Sequence, residues 1–263
     1  NKPVAQVTRG DVVELLEPIW LEIPETARRV KQRIGNVIDW AVGAGIREHG
    51  IEMKLVERAL PRHAAGVNHF AAVKAADMPA FIQALALSTP GPVVRAAIEL
   101  MILTASRPGN IRFLTWDQIA LETKVWTRPA KLMKNGREHR VPLPRRAVDT
   151  LAAIQPEHTC DTPVFPGLQG RPLSENTLNK AVKSTGFEAT SHGFRTSFKE
   201  WSLANGWPDH LSEMQLAHTD QNKARAAYAR EDLLEERRPM MEAWAAFVTG
   251  SAAVVLPLPA RVA

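Results

Sequence analysis

The sequence predicts a mainly α-helical protein with one small antiparallel β-sheet. Apolar residues recur at helical spacing over 24–43, 78–104, 145–154, 174–182, 192–205 and 233–247, with capping residues or Pro and Gly at the boundaries. Strand-like composition is confined to 117–143, where Asn135-Gly136 is a strong hairpin signal. A weakly periodic stretch around Pro61–Asn68 separates a domain at 1–62 from a larger one at 63–250, and a Pro-interrupted tail follows at 251–263.

In chain order, Asp11 caps a short helix, VVELLEPIW, expected to end near Pro18. From Pro24, the residues Ala27, Val30, Ile34, Val37, Ile38 and Ala41 form one face of a helix closed by Gly43 and Gly45. Arg28, Arg29, Lys31, Gln32 and Arg33 take its other faces; a charged face is ordinarily just solvated. Two apolar helices, 78–87 and 93–104, are split by a Thr-Pro-Gly-Pro turn, and the second is apolar enough to be a central core helix. Arg107 follows it, and Pro108 disfavours the α region there, which places the arginine in an extended elbow.

In the β region, Val125–Thr127 and His139–Val141 suit strands, with Lys134 directly before the turn. A helix over Arg145–Ile154 comes next, then one capped by Ser174 with Leu178 and Val182 facing inwards. Residues 192–205 read as a helix capped by Thr190 or Ser191 and stopped by Gly206 and Pro208. Phe194, Phe198 and Trp201 form its buried stripe, while His192 and Arg195 lie about 60° apart on the other side with Thr196, Lys199 and Ser202. The last helix carries Leu233, Leu234, Met240, Met241, Trp244 and Phe247, with Pro239 as a kink.

Composition narrows the function. A formal charge of +5 leans towards a polyanionic partner. The single cysteine, Cys160, permits no internal disulfide, which suits a reducing cytoplasm. No run of about 18 apolar residues exists to span a membrane. The start, NKPVAQVTRGD, has neither an apolar signal core nor an initiating Met and reads as a fragment. The histidines lack zinc-ligand spacing, and there is no phosphate-binding Gly-rich loop or Gly-x-Ser-x-Gly elbow, so no metal or cofactor is expected.

One ordered set stands apart: His-Gly-Phe-Arg at 192–195, Leu-Ala-His at 216–218, and Tyr228, the only tyrosine of the chain. Each piece alone is unremarkable, a capping pair or a core aromatic. In this order they resemble the tyrosine recombinases, in particular phage and genomic-island integrases. TASRPGNIRFLTWDQI is similar to the first arginine motif of that family, PAKLMKNGREHRVPLP to the hairpin bearing its catalytic lysine, and REDLLEERRPMMEAWAAF to the helix after its nucleophile. PETARRVKQRIGNVIDWA resembles part of the preceding core-binding domain.

The resemblance implies a fragment of a helical core-binding domain followed by a recombinase catalytic domain. It implies catalytic roles for Arg107, Lys134, His192, Arg195, His218 and Tyr228, and contacts to DNA phosphates from Arg28, Arg29, Lys31, Arg33 and Lys199. Its partners are double-stranded attachment-site DNA, further copies of the chain in a tetramer, and DNA-bending and directionality proteins. The apolar tail is then expected to dock on its own domain or, on DNA, in a neighbour. The chemistry suits these residue types. A phenol is a competent nucleophile and leaving group, so cutting and resealing DNA through it preserves the phosphodiester energy. Two guanidiniums can clamp the phosphoryl oxygens. Lys134 suits protonation of the departing 5′ oxygen, His192 a general base or donor, and His218 a donor to a non-bridging oxygen. One position departs from the family: Arg-Pro-x-Glu reads Arg-Pro-Gly-Asn, with Asn110 in place of the acid. A DNA-binding relative without turnover and a relaxing topoisomerase are the other readings.

Overall fold

The apolar run after the Thr-Pro-Gly-Pro turn becomes the central helix of the larger unit in a computed structural model of the chain. The structure describes residues 2–62, 71–133, 136–155, 162–218 and 232–251. Contacts divide the chain into two compact units, 1–69 and 70–263.

In the first unit, α1 (Arg9–Trp20) packs with α2 (Pro24–Gly43) and α3 (Met53–Ala59). Thr8 is the N-cap of α1 and Asp11 its reciprocal partner, a capping box one turn earlier than Asp11 as cap implied. The helix also runs through Pro18 to Trp20, because Leu16 and Trp20 are buried on either side of the proline and hold the last turn in place. Val12, Leu16, Trp20, Ala27, Val56 and Leu60 form a small core, and Trp20 Nε1 donates to the Pro61 carbonyl at 2.8 Å.

In the second unit, α4 (Met78–Leu87) leads to α5 (Pro92–Leu103), whose Ala97, Ile98, Leu100, Met101, Ile102 and Leu103 are fully buried. The short α6 (Pro108–Arg112) follows Arg107. The sheet has the order β1 (Ile119–Ala120), β2 (Val125–Arg128), β3 (His139–Pro142), antiparallel throughout. Pairing of β2 with β3 closes at Arg128 with His139, so the connection spans 129–138 rather than a tight two-residue turn; Lys134 and Asn135 lie outside the described residues.

After the sheet come α7 (Arg145–Ala152), α8 (Glu175–Lys183), α9 (Phe194–Ala204), α10 (Asp209–Gln215) and α11 (Leu234–Val248). Ser174 caps α8, its hydroxyl accepting from Thr177 N at 3.0 Å. Phe198, Trp201 and Trp244 pack with ring centroids 5.1–6.2 Å apart, and Trp244 Nε1 donates to the Ile102 carbonyl at 2.7 Å. That cluster locks α9 and α11 onto the end of α5. Among the described residues no helix is long and apolar enough to cross a membrane.

The start of α9 differs from its expected position. The helix begins at Phe194, and His192 sits on the turn before it. The cause is the irregular segment at Ala71–Val73, which crosses the turn at close range. Thr190 N donates to the Ala71 carbonyl at 2.9 Å, and the Ser197 hydroxyl donates to the Val73 carbonyl. Gly193 makes the crossing possible: a Cβ there would overlap the Ala71 carbonyl oxygen and lie 2.8 Å from Ala72 Cα. Gly193→Ala is therefore expected to lower stability by about 2–3 kcal/mol. Gly109→Ala, where a Cβ meets open space, is expected to be neutral or stabilising by up to about 1 kcal/mol. Urea unfolding of the two variants checks this; equal effects would refute the steric account.

Candidate active site

Two helix ends build the site. Helix α5 closes with Thr104 as cap and Ala105 in the left-handed region at φ 49°. Ser106 N donates to the Met101 carbonyl and Ala105 N to the Ile102 carbonyl, both at 3.1 Å, which is a Schellman closure with alanine in the glycine position. Helix α10 closes the same way. Ala217 has φ 48°, Ala217 N donates to Met214 O at 3.0 Å, and His218 N donates to Glu213 O at 3.1 Å. Gln215 ties the two ends together, its Nε2 donating to the Thr104 carbonyl at 2.8 Å.

Arg195, in the first turn of α9, lies between these ends and is only 6% exposed. Its Nη1 donates to the Ala105 carbonyl at 2.9 Å, and its Nη2 to the Leu216 carbonyl at 2.7 Å and to His218 Nε2 at 2.9 Å. Arg107 sits in the extended elbow that Pro108 implies (φ −68°, ψ 145°) and donates from Nη2 to the Ala217 carbonyl at 3.4 Å. Burial, and then the charge of Arg107, push the Arg195 guanidinium down to about 9, so it stays charged at neutral pH. Helix C-terminal carbonyls carry partial negative charge, so they hold these cations without cancelling the formal charge. Among the described residues no carboxylate hydrogen-bonds or ion-pairs with either guanidinium.

His192 is half-buried on its turn. Burial first, then the charges of Arg195 and Arg107, hold its imidazole below the usual value of 6.5, against the pull of Glu175. It is therefore neutral at neutral pH. His218 has its ring held at both nitrogens, with Nδ1 2.7 Å from Glu213 Oε2. A guanidinium only donates, so Nε2 accepts and Nδ1 carries the proton. His218 Nε2 thus accepts from Arg195 here.

Of the remaining candidates, Tyr228 and Lys134 lie outside the described residues. Lys199 is placed differently from a phosphate contact. Its Nζ reaches Asp209 Oδ1 at 2.6 Å, Ser212 Oγ at 2.8 Å and Glu213 Oε1 at 2.5 Å, which uses all three of its N–H donors inside the unit. In the first unit, Arg28, Arg29 and Arg33 are exposed on α2, whereas Lys31 is half-buried, pairs with Glu57 at 2.5 Å and lies over the Trp20 ring. The exposed face of α2 also carries Trp40, 64% exposed, which the apolar periodicity of this helix leaves out. Asn110 contributes its peptide: its N–H donates to the Arg107 carbonyl at 2.9 Å, and its carbonyl accepts from Arg128 Nη1 at 3.3 Å. Arg128, also buried, donates from Nη2 to the Leu132 carbonyl at 3.3 Å, which links α6 to the connection leading to residue 134.

A buried layer stands behind the arginines. Arg237 of α11 is fully buried and donates to Gln215 Oε1 at 2.9 Å, the Asp232 carbonyl at 2.9 Å and the Arg140 carbonyl at 2.8 Å. Arg140 in turn binds Asp232 through two parallel bonds of 2.7 Å. His139 of β3 belongs to the same layer and hydrogen-bonds the Gln215 backbone. The metal-ligand groups of three or more His, Cys, Asp or Glu side chains are absent among the described residues.

The profile of the phage integrase family matches residues 72–234, well over half of the chain, and that of the phage integrase central domain matches residues 1–57. The chain belongs to the phage integrase family of tyrosine recombinases. Prophage integrase IntZ of Escherichia coli (strain K12) is 34% identical over 251 residues, covering 93% of this chain. The chain spans 61% of that relative's length. Among solved structures, the fold resembles a lambda integrase (75-356) dimer bound to a COC′ core site (TM-score 0.61, 18% identity, 84% of this chain and 82% of the other). It also resembles a lambda integrase tetramer bound to a Holliday junction (TM-score 0.60, 19% identity, 85% of this chain and 67% of the other).

His139 gives the buried layer a pH signature. Burial first, then the charge of Arg237, lower its imidazole to about 4 from 6.5. The unfolded chain takes up this proton first as pH falls, so its contribution to stability is complete above pH 6.5 and is lost on the way down to about 4. The loss amounts to about 3 kcal/mol. Urea unfolding at pH 7 and pH 4 should show His139→Gln losing about 3 kcal/mol less than the unaltered protein. Parallel losses would mean that the imidazole is not buried as described.

Proposed function

We propose that the chain is the core of a site-specific DNA recombinase that cuts and rejoins DNA through a 3′-phosphotyrosyl link. The observation that supports this most is the pair of arginines, Arg107 and Arg195, held by backbone carbonyls from two helix ends with no carboxylate bonded to either among the described residues. Such a pair is suited to a phosphodiester, whose non-bridging oxygens take paired N–H donors. Tyr228 is the nucleophile: its oxygen bonds to phosphorus while the 5′ oxygen departs with a proton from Lys134, and the reverse step reseals the strand. His192, neutral beside the arginines, serves as general base or donor. The partner is double-stranded attachment-site DNA, gripped as well by Arg28, Arg29 and Arg33, with the chain working as a tetramer and with DNA-bending and directionality proteins. The lambda integrase fold being seen on a core site and on a Holliday junction supports this reading.

The test is a nicked duplex carrying candidate attachment-site DNA, which traps the covalent adduct. Tyr228→Phe should bind DNA and form no denaturant-resistant adduct; an adduct in that variant would sink the assignment. Arg195→Lys, which loses the two-pronged donor, should cut at least about 100-fold more slowly. Lys134→Ala should recover on a duplex whose 5′ bridging oxygen is replaced by sulfur, a leaving group that barely needs protonation. An equal defect on both duplexes would remove Lys134 as the acid. Asn110 favours one second reading, a DNA-binding relative without turnover. Absence of any adduct from the unaltered protein on DNA that it binds would decide for it.

A further inference from the structure

Arg128 is a cation where the fold would take an apolar side chain. It closes the inward face of the sheet: it pairs with His139 as Trp126 pairs with Val141, and side chains directly opposite each other, or two apart on one strand, share a face. Trp126 and Val141 are buried in the core, and Arg128 is only 5% exposed. Among the described residues no carboxylate bonds to it, and its Nε, fully enclosed, finds no acceptor. A buried guanidinium without an anion costs stability, and a buried polar atom left unpaired calls for a reason beyond packing. The bonds that Arg128 does make supply one. Nη1 donates to the Asn110 carbonyl and Nη2 to the Leu132 carbonyl, both at 3.3 Å, so one planar fork joins α6 to the connection between β2 and β3.

Each end of that fork leads to the site within a further bond or two. Asn110 N donates to the Arg107 carbonyl at 2.9 Å, so the α6 end is tied to the arginine elbow. Leu132 ends a short 3-10 turn, Ala130–Leu132, in which Leu132 N donates to the Pro129 carbonyl at 2.9 Å and Met133 N to the Ala130 carbonyl at 3.0 Å. The Met133 carbonyl in turn accepts from Gly136 N at 3.0 Å, so the residues on both sides of Lys134-Asn135 are tied to each other. We propose that Arg128 is a positioning residue: it sets the distance between Arg107 and the connection that carries Lys134, and so holds the acid at the departing oxygen of a phosphodiester gripped by Arg107. This rests on the recombinase reading. In the step it serves, the nucleophile's oxygen bonds to phosphorus, the bond to the 5′ oxygen breaks with its electron pair, and the Lys134 ammonium passes that oxygen a proton. An apolar side chain of the same length would fill the space of Arg128 but leave both carbonyls unbridged, and lysine would reach only one of them. Asn110 takes part through its backbone, a role open to any residue but proline at that position.

The test sets the ordinary nicked duplex against the one with sulfur at the 5′ bridge. Arg128→Met should cut the oxygen duplex about 10-fold more slowly and the sulfur duplex within about 2-fold of the unaltered protein, with DNA affinity unchanged. Adding Arg128→Met to Lys134→Ala should slow the oxygen duplex no further, because the two act through one proton transfer. A merely structural brace would slow both duplexes alike and add to Lys134→Ala, and either outcome overturns the proposal. Should Arg128→Met not fold, Arg128→Lys, which keeps the charge and reaches one carbonyl, carries the same comparison. Amide hydrogen exchange of the full chain separates this role from the recombinase reading. In Arg128→Met the amides of Leu132, Met133 and Gly136 should exchange at least about 10-fold faster, while those of α5 keep their protection. Unchanged protection at the three amides overturns the positioning role whatever the rates. If the unaltered protein forms no adduct, the recombinase reading fails, and exchange alone decides whether Arg128 holds the connection.

Discussion

The placement of Arg195 is the constraint on which the rest of the site depends. A guanidinium 6% exposed carries a desolvation cost of several kcal/mol unless its donors are met. A carboxylate partner would meet that cost most simply, but it would also cancel the charge that the proposed phosphate contact needs. The chain uses the carbonyls of Ala105 and Leu216 instead. Carbonyls at helix C-termini point outwards with no intrahelical donor, so supplying them costs the helices nothing. The requirement falls on geometry, since two helices far apart in sequence must end within hydrogen-bond reach of one side chain.

Gln215 and Arg237 meet that requirement. Gln215 bridges α10 to the end of α5 through its amide nitrogen and to α11 through its amide oxygen. Arg237 then continues to β3 through the Arg140 carbonyl. A buried polar network of this kind fixes a unique arrangement because every member must be satisfied together, whereas apolar contacts alone tolerate sliding. The aromatic cluster of Phe198, Trp201 and Trp244 supplies the burial energy on the opposite side of α9. The two layers divide the work: the aromatic layer holds α9 and α11 together, and the polar layer sets the positions of the helix ends against Arg195.

Much of this was legible in the sequence wherever a local rule decides the structure. The stripe of Phe194, Phe198 and Trp201 is buried, as helical spacing implies, and Pro108 sets the Arg107 elbow. What escaped were the features decided by distant segments. His192 leaves the helix because residues 71–73 cross at Gly193. Lys199 shares a helix face with Arg195, yet α10 turns two carboxylates towards it, and no periodicity within α9 encodes that. Pro18 fails to end α1 because burial of Leu16 and Trp20 on both sides of it outweighs one lost backbone bond. Gln215, His139 and Arg237 carried no signal at all, since a buried glutamine or arginine, or a half-buried histidine, reads as surface in a composition.

The two alanines at Ala105 and Ala217 show where the fold accepts strain. Each occupies the left-handed position of a Schellman closure, at a cost of about 1–2 kcal/mol relative to a relaxed residue. Glycine would remove that cost, but it would also give the closing turn freedom to fray. The strained residues are the ones whose own carbonyls face the two arginines, Ala105 towards Arg195 and Ala217 towards Arg107. Left-handed backbone at alanine persists only when surrounding contacts over-determine it. Here Gln215 and the arginines themselves supply those contacts. Strain and binding geometry are thus coupled at the same two peptides: the helix ends hold the guanidiniums in place, and the guanidiniums hold the helix ends in a conformation that alanine would otherwise leave.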